Sequence, residues 1–336
     1  MFKPIRLLAK SILAKSVLAT SILALLPATA AWAQAYPSKP VSLIVPFAAG
    51  GPTDTIARLY GEQLSKAFGQ PFLVENVVGA GGVTGTNRAV KAAPDGYTFL
   101  VHNVAPHVAG PALYAGATYS PVSDFEPVAS LAEAAIYIVV RKDFPAKTLK
   151  EFLEYGKANP GKISFASAGS GSATHLACEL LKLKAGIDML HIPYRGTGPA
   201  LNDLISGKVD MMCDQGLNVG QQLKAETVRA LAIAQDARSK AFPDVPTTKE
   251  AGLEGLIVNA STAIYAPKGT PAPVIKALTD ALDQAGRSDL INQRLEQLVS
   301  ERPSGDRMTP EGLKRFTAEE FAKWTTTIKS SGIKIN

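Results

Sequence analysis

Cysteine is nearly missing from this chain: its 336 residues carry two, Cys178 and Cys213. That excludes a disulfide-dense scaffold and, with no Cys/His cluster, a zinc ribbon or finger. The expectation is two buried thiols, Cys178 in a helical pattern and Cys213 ending a strand pattern, with a bridge as the alternative. Histidine is scarce too. The four present, His102, His107, His175 and His191, match no His-Glu-x-x-His spacing. No metal and no cofactor are expected. No Gly-Lys-Ser/Thr follows a glycine-rich turn, so there is no P-loop, and no Gly-x-Ser-x-Gly elbow occurs. Runs of Lys and Arg are absent, as is any interleaving of aromatic and basic residues, which argues against a nucleic-acid surface. Beyond the first 35 residues no apolar stretch is long enough to cross a membrane.

What is present begins with a leader. Lys3, Arg6, Lys10 and Lys15 make a positive start, 16–27 is apolar or small, and Ala31-Trp32-Ala33 offers a small-x-small cleavage site. Those three features in that order define a secretory signal peptide, here 1–33. The apolar run is short of the ~20 residues that span a bilayer, and Pro27 interrupts it. Export with cleavage and release is expected. The leader holds four positive and no negative side chains, so its removal lowers the formal charge from +6 to +2.

Downstream, short Val/Ile-rich runs alternate with longer helical patterns. Strands are expected at 41–45, 72–76, 98–101, 162–166, 189–192, 209–213 and 230–234, with a long extended stretch at 128–140. Helices are expected at 54–68, 85–92, 148–159, 173–185, 198–206 and 220–225. Alternation at this spacing implies βαβ units and mostly parallel sheets. Two helical patterns, 272–285 and 310–331, end the chain and read as a cover packed back on an earlier sheet.

Three glycine-rich turns share one design, each leading into a helix. They are Pro46-Phe-Ala-Ala-Gly50-Gly51-Pro-Thr-Asp54, Gly79-Ala-Gly81-Gly82-Val-Thr-Gly85 and Ser167-Ala-Gly169-Ser170-Gly171-Ser172-Ala-Thr-His175. The first four N–H groups of a helix lack intrahelical partners, and the helix dipole adds to their pull on an anion. Each charge-assisted bond is worth about 1.5–3 kcal/mol, so two such loops could hold a carboxylate without any arginine. The dinucleotide fingerprint fails because Thr84 and Thr174 stand where its third glycine belongs. Asp54 reads as a helix-capping or loop-bracing carboxylate. For Ser170 and Ser172, donation to a ligand and a loop-only role both remain open. A hydrolase using Ser170 and His175 is the enzyme-class alternative, but no Ser/His/acid arrangement or pair of acids stands out, and no enzyme is expected.

Together with Ile192-Pro-Tyr-Arg-Gly196, Pro94-Asp-Gly-Tyr97, Phe242-Pro-Asp-Val-Pro-Thr247 and Ala266-Pro-Lys-Gly-Thr-Pro271, these turns carry a resemblance. Nearly the whole mature chain resembles the Bug/TctC substrate-binding receptors of tripartite tricarboxylate transporters, known from Bordetella and its relatives. The resemblance implies a two-lobed α/β periplasmic-binding-protein fold, a Venus flytrap hinged on crossing strands. Lobe one would be 36–135 plus 262–336, and lobe two 136–261. It implies ligand contacts from Phe47, Ala48, Gly50, Gly51 and Asp54, from Gly81 and Gly82, and from Asn103 and His107. From lobe two it implies Ala168, Gly169, Ser170, Gly171, Ser172, His175, Arg195, Gly196 and Asp214. The ligand would be a small organic carboxylate, with Arg195 its charge partner, handed to the permease subunits of a membrane transporter. A sensor module serving a signalling partner such as a sensor kinase is the alternative, and a monomer is expected. Two departures stand out: Ser261-Thr-Ala-Ile-Tyr265 replaces the family's Trp and Gly, and Asn103-Val104-Ala105-Pro106 replaces a hydroxyl-rich run. Fewer hydroxyls suit a ligand with an apolar or aromatic body.

Overall fold

The described residues form nine strands: β1 (Val41–Val45), β2 (Phe72–Asn76), β3 (Thr98–Asn103), β4 (Phe125–Arg141), β5 (Ile163–Ser167), β6 (Met189–Pro193), β7 (Met211–Gln215), β8 (Val228–Ile233) and β9 (Asn259–Pro267). The computed structural model describes residues 36–331; the expected leader lies outside them. The strand order is β2-β1-β3-β9-β4-β7-β5-β6, with β8 also on β4.

The long strand β4 organises this sheet. Its first part, through Ala135, pairs antiparallel with β9, and from Ile136 it pairs with β7 and β8 instead. One strand thus belongs to two sheet halves. Within each half the strands expected from the alternating pattern are parallel: β1 with β2 and β3, β5 with β6 and β7. At the centre the expectation of mostly parallel sheets fails, because β4 and β9 run antiparallel to their neighbours. The sheet is mixed. No β-branched run announces β9 (Asn-Ala-Ser-Thr-Ala-Ile-Tyr-Ala-Pro), yet every residue after Asn259 is buried. Burial between two partners, not propensity, makes it a strand.

The helices are α1 (Pro52–Phe68), α2 (Val83–Val90), α3 (Val104–Leu113), α4 (Leu149–Ala158), α5 (Ala173–Ala185), α6 (Thr197–Ile205), α7 (Gly216–Lys224), α8 (Ala272–Gly286), α9 (Asp289–Gln297) and α10 (Pro310–Ser331). Among them α1 buries Ile56, Ala57, Tyr60 and Leu64 at helical spacing and ends on Gly69 at φ 66°, the left-handed cap that glycine adopts freely. The Tyr60 hydroxyl donates to the Leu131 carbonyl at 2.8 Å, tying α1 to β4. As expected of the terminal cover, α8 packs on α1 and β4, and α10 on α3 and β4. The sequence pattern missed α3 and α9. Val-Ala-Pro-His-Val-Ala-Gly-Pro-Ala-Leu holds two prolines and a glycine, and its first seven residues are all buried, so it shows no amphipathic period.

Cys178 of α5 and Cys213 of β7 are not free thiols: they form a disulfide with Cα atoms 5.4 Å apart. Both are buried, as expected, but α5 packs on β7 closely enough for their side chains to meet. That packing could not be read from a separation of 35 residues.

Candidate functional site

A cavity of about 310 Å³ lies where loops of the two sheet halves meet. Five helices begin at its wall. The N-cap residues Gly51 of α1, Asn103 of α3, Ser172 of α5, Gly196 of α6 and Gln215 of α7 all line it. Among the described residues no charged side chain does. Helix N-termini carry unpaired N–H groups and the positive end of the dipole, so the space suits an anion held by neutral donors.

Asp54 fixes the first loop. Its Oδ2 accepts from the Gly50 N–H and from Arg58 Nε, both at 2.9 Å, while its Oδ1 accepts from Asn76 Nδ2 at 2.9 Å. The same Asn76 Nδ2 donates to the Phe47 carbonyl at 2.9 Å. Burial works against ionisation of Asp54. The contacts from Arg58, Gly50 and Asn76 outweigh it and hold the carboxyl below its ordinary range. The bracing role expected from sequence is what this geometry performs, and Asp54 does not line the cavity.

In the second loop Gly79, Ala80, Gly81 and Gly82 all have positive φ, at 143°, 46°, 60° and 108°. A Cβ on Gly82 would stand 2.7 Å from His102 Nε2, so the close approach to that ring requires glycine. The third loop is held from behind by histidines. His175 Nδ1 accepts from the Gly171 N–H at 3.0 Å, and His191 Nε2 lies 2.7 Å from Ser167 Oγ. The two imidazoles stack at 4.1 Å. Burial lowers the His175 pKa to about 3 and the His191 pKa to about 4, with nearby Lys182 acting in the same direction. An Nδ1 that accepts a backbone N–H belongs to a neutral ring, which agrees with that shift. Ser172 caps α5, its Oγ accepting from the His175 N–H at 3.4 Å.

The residues expected from sequence therefore fall into three groups. Phe47, Ala48, Gly50, Gly51 and Asn103 line the cavity from one side, with Ala168, Ser172 and Gly196 opposite. Gly81, Gly82, Gly169, Ser170 and Arg195 line instead an adjoining outer chamber of about 610 Å³, which shares Phe47, Val78 and Ala168 with the inner one. Asp54, His107, Gly171, His175 and Asp214 line neither. His107 is enclosed by the rings of Tyr119, Phe125, Tyr265 and His102. Asp214 stands behind Gln215, accepting its N–H at 2.7 Å and Asn218 Nδ2 at 2.5 Å; burial pushes its pKa up to about 7.

Sequence reasoning missed Thr197 and Gln215. Asn103 is 1% exposed and Thr197 6% exposed, and among the described residues neither the two amide atoms of Asn103 nor Thr197 Oγ1 has a hydrogen-bond partner. A buried polar atom without a partner is costly, and both residues line the cavity. Gly196-Thr-Gly-Pro199 was a legible signal, a glycine turn opening a helix with proline in its first turn. Gln215 had none. Among the described residues no group of His, Cys, Asp and Glu could hold a metal ion, and no helix is long and apolar enough to cross a membrane.

Two α/β halves joined through a shared strand, with an uncharged cavity rich in helix N-termini between their loops, define the two-lobed class of solute-binding proteins. The model of the tripartite tricarboxylate transporter family receptor, TctC, matches residues 56–333. The chain belongs to that family. It is similar to the periplasmic binding protein BugD, at 39% identity and a TM-score of 0.84, covering 89% of this chain and 99% of that one. MatC from Rhodopseudomonas palustris, solved with bound malate, is 40% identical with a TM-score of 0.83, over 87% of this chain and 100% of that one. A further R. palustris protein, Rpa4515 with adipate, is 30% identical with a TM-score of 0.84, over 89% and 99%.

Proposed function

We propose that the protein is a periplasmic receptor that binds a small organic carboxylate in the inner cavity and delivers it to the permease subunits of a tripartite-type transporter. The observation that carries this reading is the convergence of five helix N-caps on a space with no charged side chain. Asn103 and Thr197 add unpartnered polar atoms for a carboxylate or hydroxyl to engage. Phe47, Val78 and Pro199 give the same cavity apolar area for the ligand's body. The malate and adipate bound by two similar proteins support the ligand class.

Capture works by closure. Lobe one, 36–135 plus 262–336, and lobe two, 136–261, would part about β4 and the strand crossing beside it, where β4 changes partners between Ala135 and Ile136. A ligand that touches both lobes binds the shut form better and shifts the population toward it. A leader cleaved at Ala33 would place the receptor in the periplasm, and an oxidising compartment suits the buried disulfide.

The test is a thermal-shift and calorimetric screen of the mature chain against malate, adipate, aromatic acids and amino acids. A ligand at a hundredfold excess over Kd adds about 2.7 kcal/mol of stability. No stabilisation by any carboxylate, in a folded protein, would overturn the reading.

A further inference from the structure

The inner cavity and the outer chamber form one path, because Phe47, Val78 and Ala168 line both. Among the described residues that line this path a single side chain is charged: Arg195, in the outer chamber. It is exposed, and it makes no hydrogen bond or ion pair with any described residue. Its neighbour Tyr194, by contrast, donates to Asp203 at 2.8 Å, and Asp203 is paired with Lys208. Arg195 therefore stands without a counter-ion among the described residues, at the mouth of a space otherwise walled by neutral groups. Low-dielectric walls around a charge of one sign focus its field outward along the opening.

We propose that Arg195 captures the incoming anion in the outer chamber and governs the rate of association, not retention in the shut cavity. This rests on the carboxylate reading above and goes beyond it, since a cage residue and an entrance residue act on different rate constants. A residue of the cage holds the bound ligand and sets its escape. A lone charge outside the cage acts on the free ligand before closure, and salt screens it. Arg195 is then a rim charge, of the kind whose loss alters the on-rate and its salt dependence. The ligand's charge enters directly: a dianion gains more than a monoanion.

The experiment is stopped-flow binding of malate and adipate to the mature wild type, Arg195→Gln and Arg195→Lys. Measurements run at about 0.01 M and about 1 M salt, where the screening length falls from ~30 Å to ~3 Å. Arg195→Gln is expected to slow association roughly threefold to tenfold at low salt, with the difference vanishing at high salt. Dissociation should change by less than about twofold, and Arg195→Lys should restore the on-rate. Faster dissociation with unchanged association would overturn the proposal and return Arg195 to the cage. Unchanged kinetics in Arg195→Gln would also overturn it. Failure of both acids to bind the wild type would instead defeat the carboxylate reading for these ligands, and this proposal with it.

Discussion

The Tyr114 hydroxyl donates a 2.6 Å hydrogen bond to the Ser170 carbonyl, joining the end of α3 to the glycine-rich loop before α5. Fifty-six residues separate the two in sequence. On the proposed lobe division the bond crosses the cleft, and parting the lobes would break it. Tyr114→Phe keeps the ring and removes the bond. A net contribution of about 1 kcal/mol predicts roughly fivefold weaker ligand binding, through faster dissociation, with little change in unfolding. Stopped-flow dissociation beside a urea melt checks both halves of that statement.

Gly81 meets the same loop without a side chain. A Cβ there would collide with the Ser170 carbonyl oxygen and stand 3.0 Å from the Gly171 carbonyl carbon. Backbone atoms cannot swing aside, so Gly81→Ala is expected to fold but not to shut. Affinity should fall by roughly a hundredfold or more. Small-angle scattering with excess ligand should show no contraction, whereas the wild type should contract. Wild-type affinity would mean that these loops separate in the bound form.

The Cys178–Cys213 bridge ties the helix capped by Ser172 to the strand ending at Gln215, two of the five N-caps at the cavity. Closing a loop of this length is worth about 3–4 kcal/mol in the chain-entropy account. Cys178→Ala/Cys213→Ala should lower Tm by roughly 5–10 °C. Ligand affinity should fall as well, because Ser172 and Gln215 lose a covalent reference to each other. Calorimetry with and without ligand separates the two effects, and an unchanged Tm would deny the bridge its structural role.

His107 predicts a pH dependence. Burial lowers its pKa to about 3, against about 6.5 in an unfolded chain. Below pH 6.5 the unfolded state takes up a proton that the folded state refuses, so stability drains as pH falls toward 3. The loss is about 1.4 kcal/mol per pH unit once titration is under way. His107→Phe removes this share. The stability difference between variant and wild type should therefore move by about 2 kcal/mol in the variant's favour between pH 7 and pH 5. Denaturant melts at the two pH values measure it. A constant difference would mean that His107 takes up its proton in the folded protein as readily as in the unfolded chain.

The sequence by itself determined the secretory pattern, the alternation of strands and helices, and the glycine turns at three helix starts. These are local properties. Apolar periodicity and glycine-rich turns before helix starts are written in neighbouring residues, and the family motifs follow the same turns, whereas the contacts that demand glycine at Gly81 and Gly82 come from Ser170 and His102 far along the chain. Tertiary structure decided what depends on distant segments. Antiparallel β9 exists because β3 and β4 flank it, α3 because its whole beginning is buried, and the disulfide because α5 lies against β7. It also sorted the expected site residues by position: Asn103 into the cavity, Asp54 and His175 behind its walls, and Arg195 outside it. A residue's type announces what it can bond, but which way it faces is set by packing between segments that the chain holds far apart.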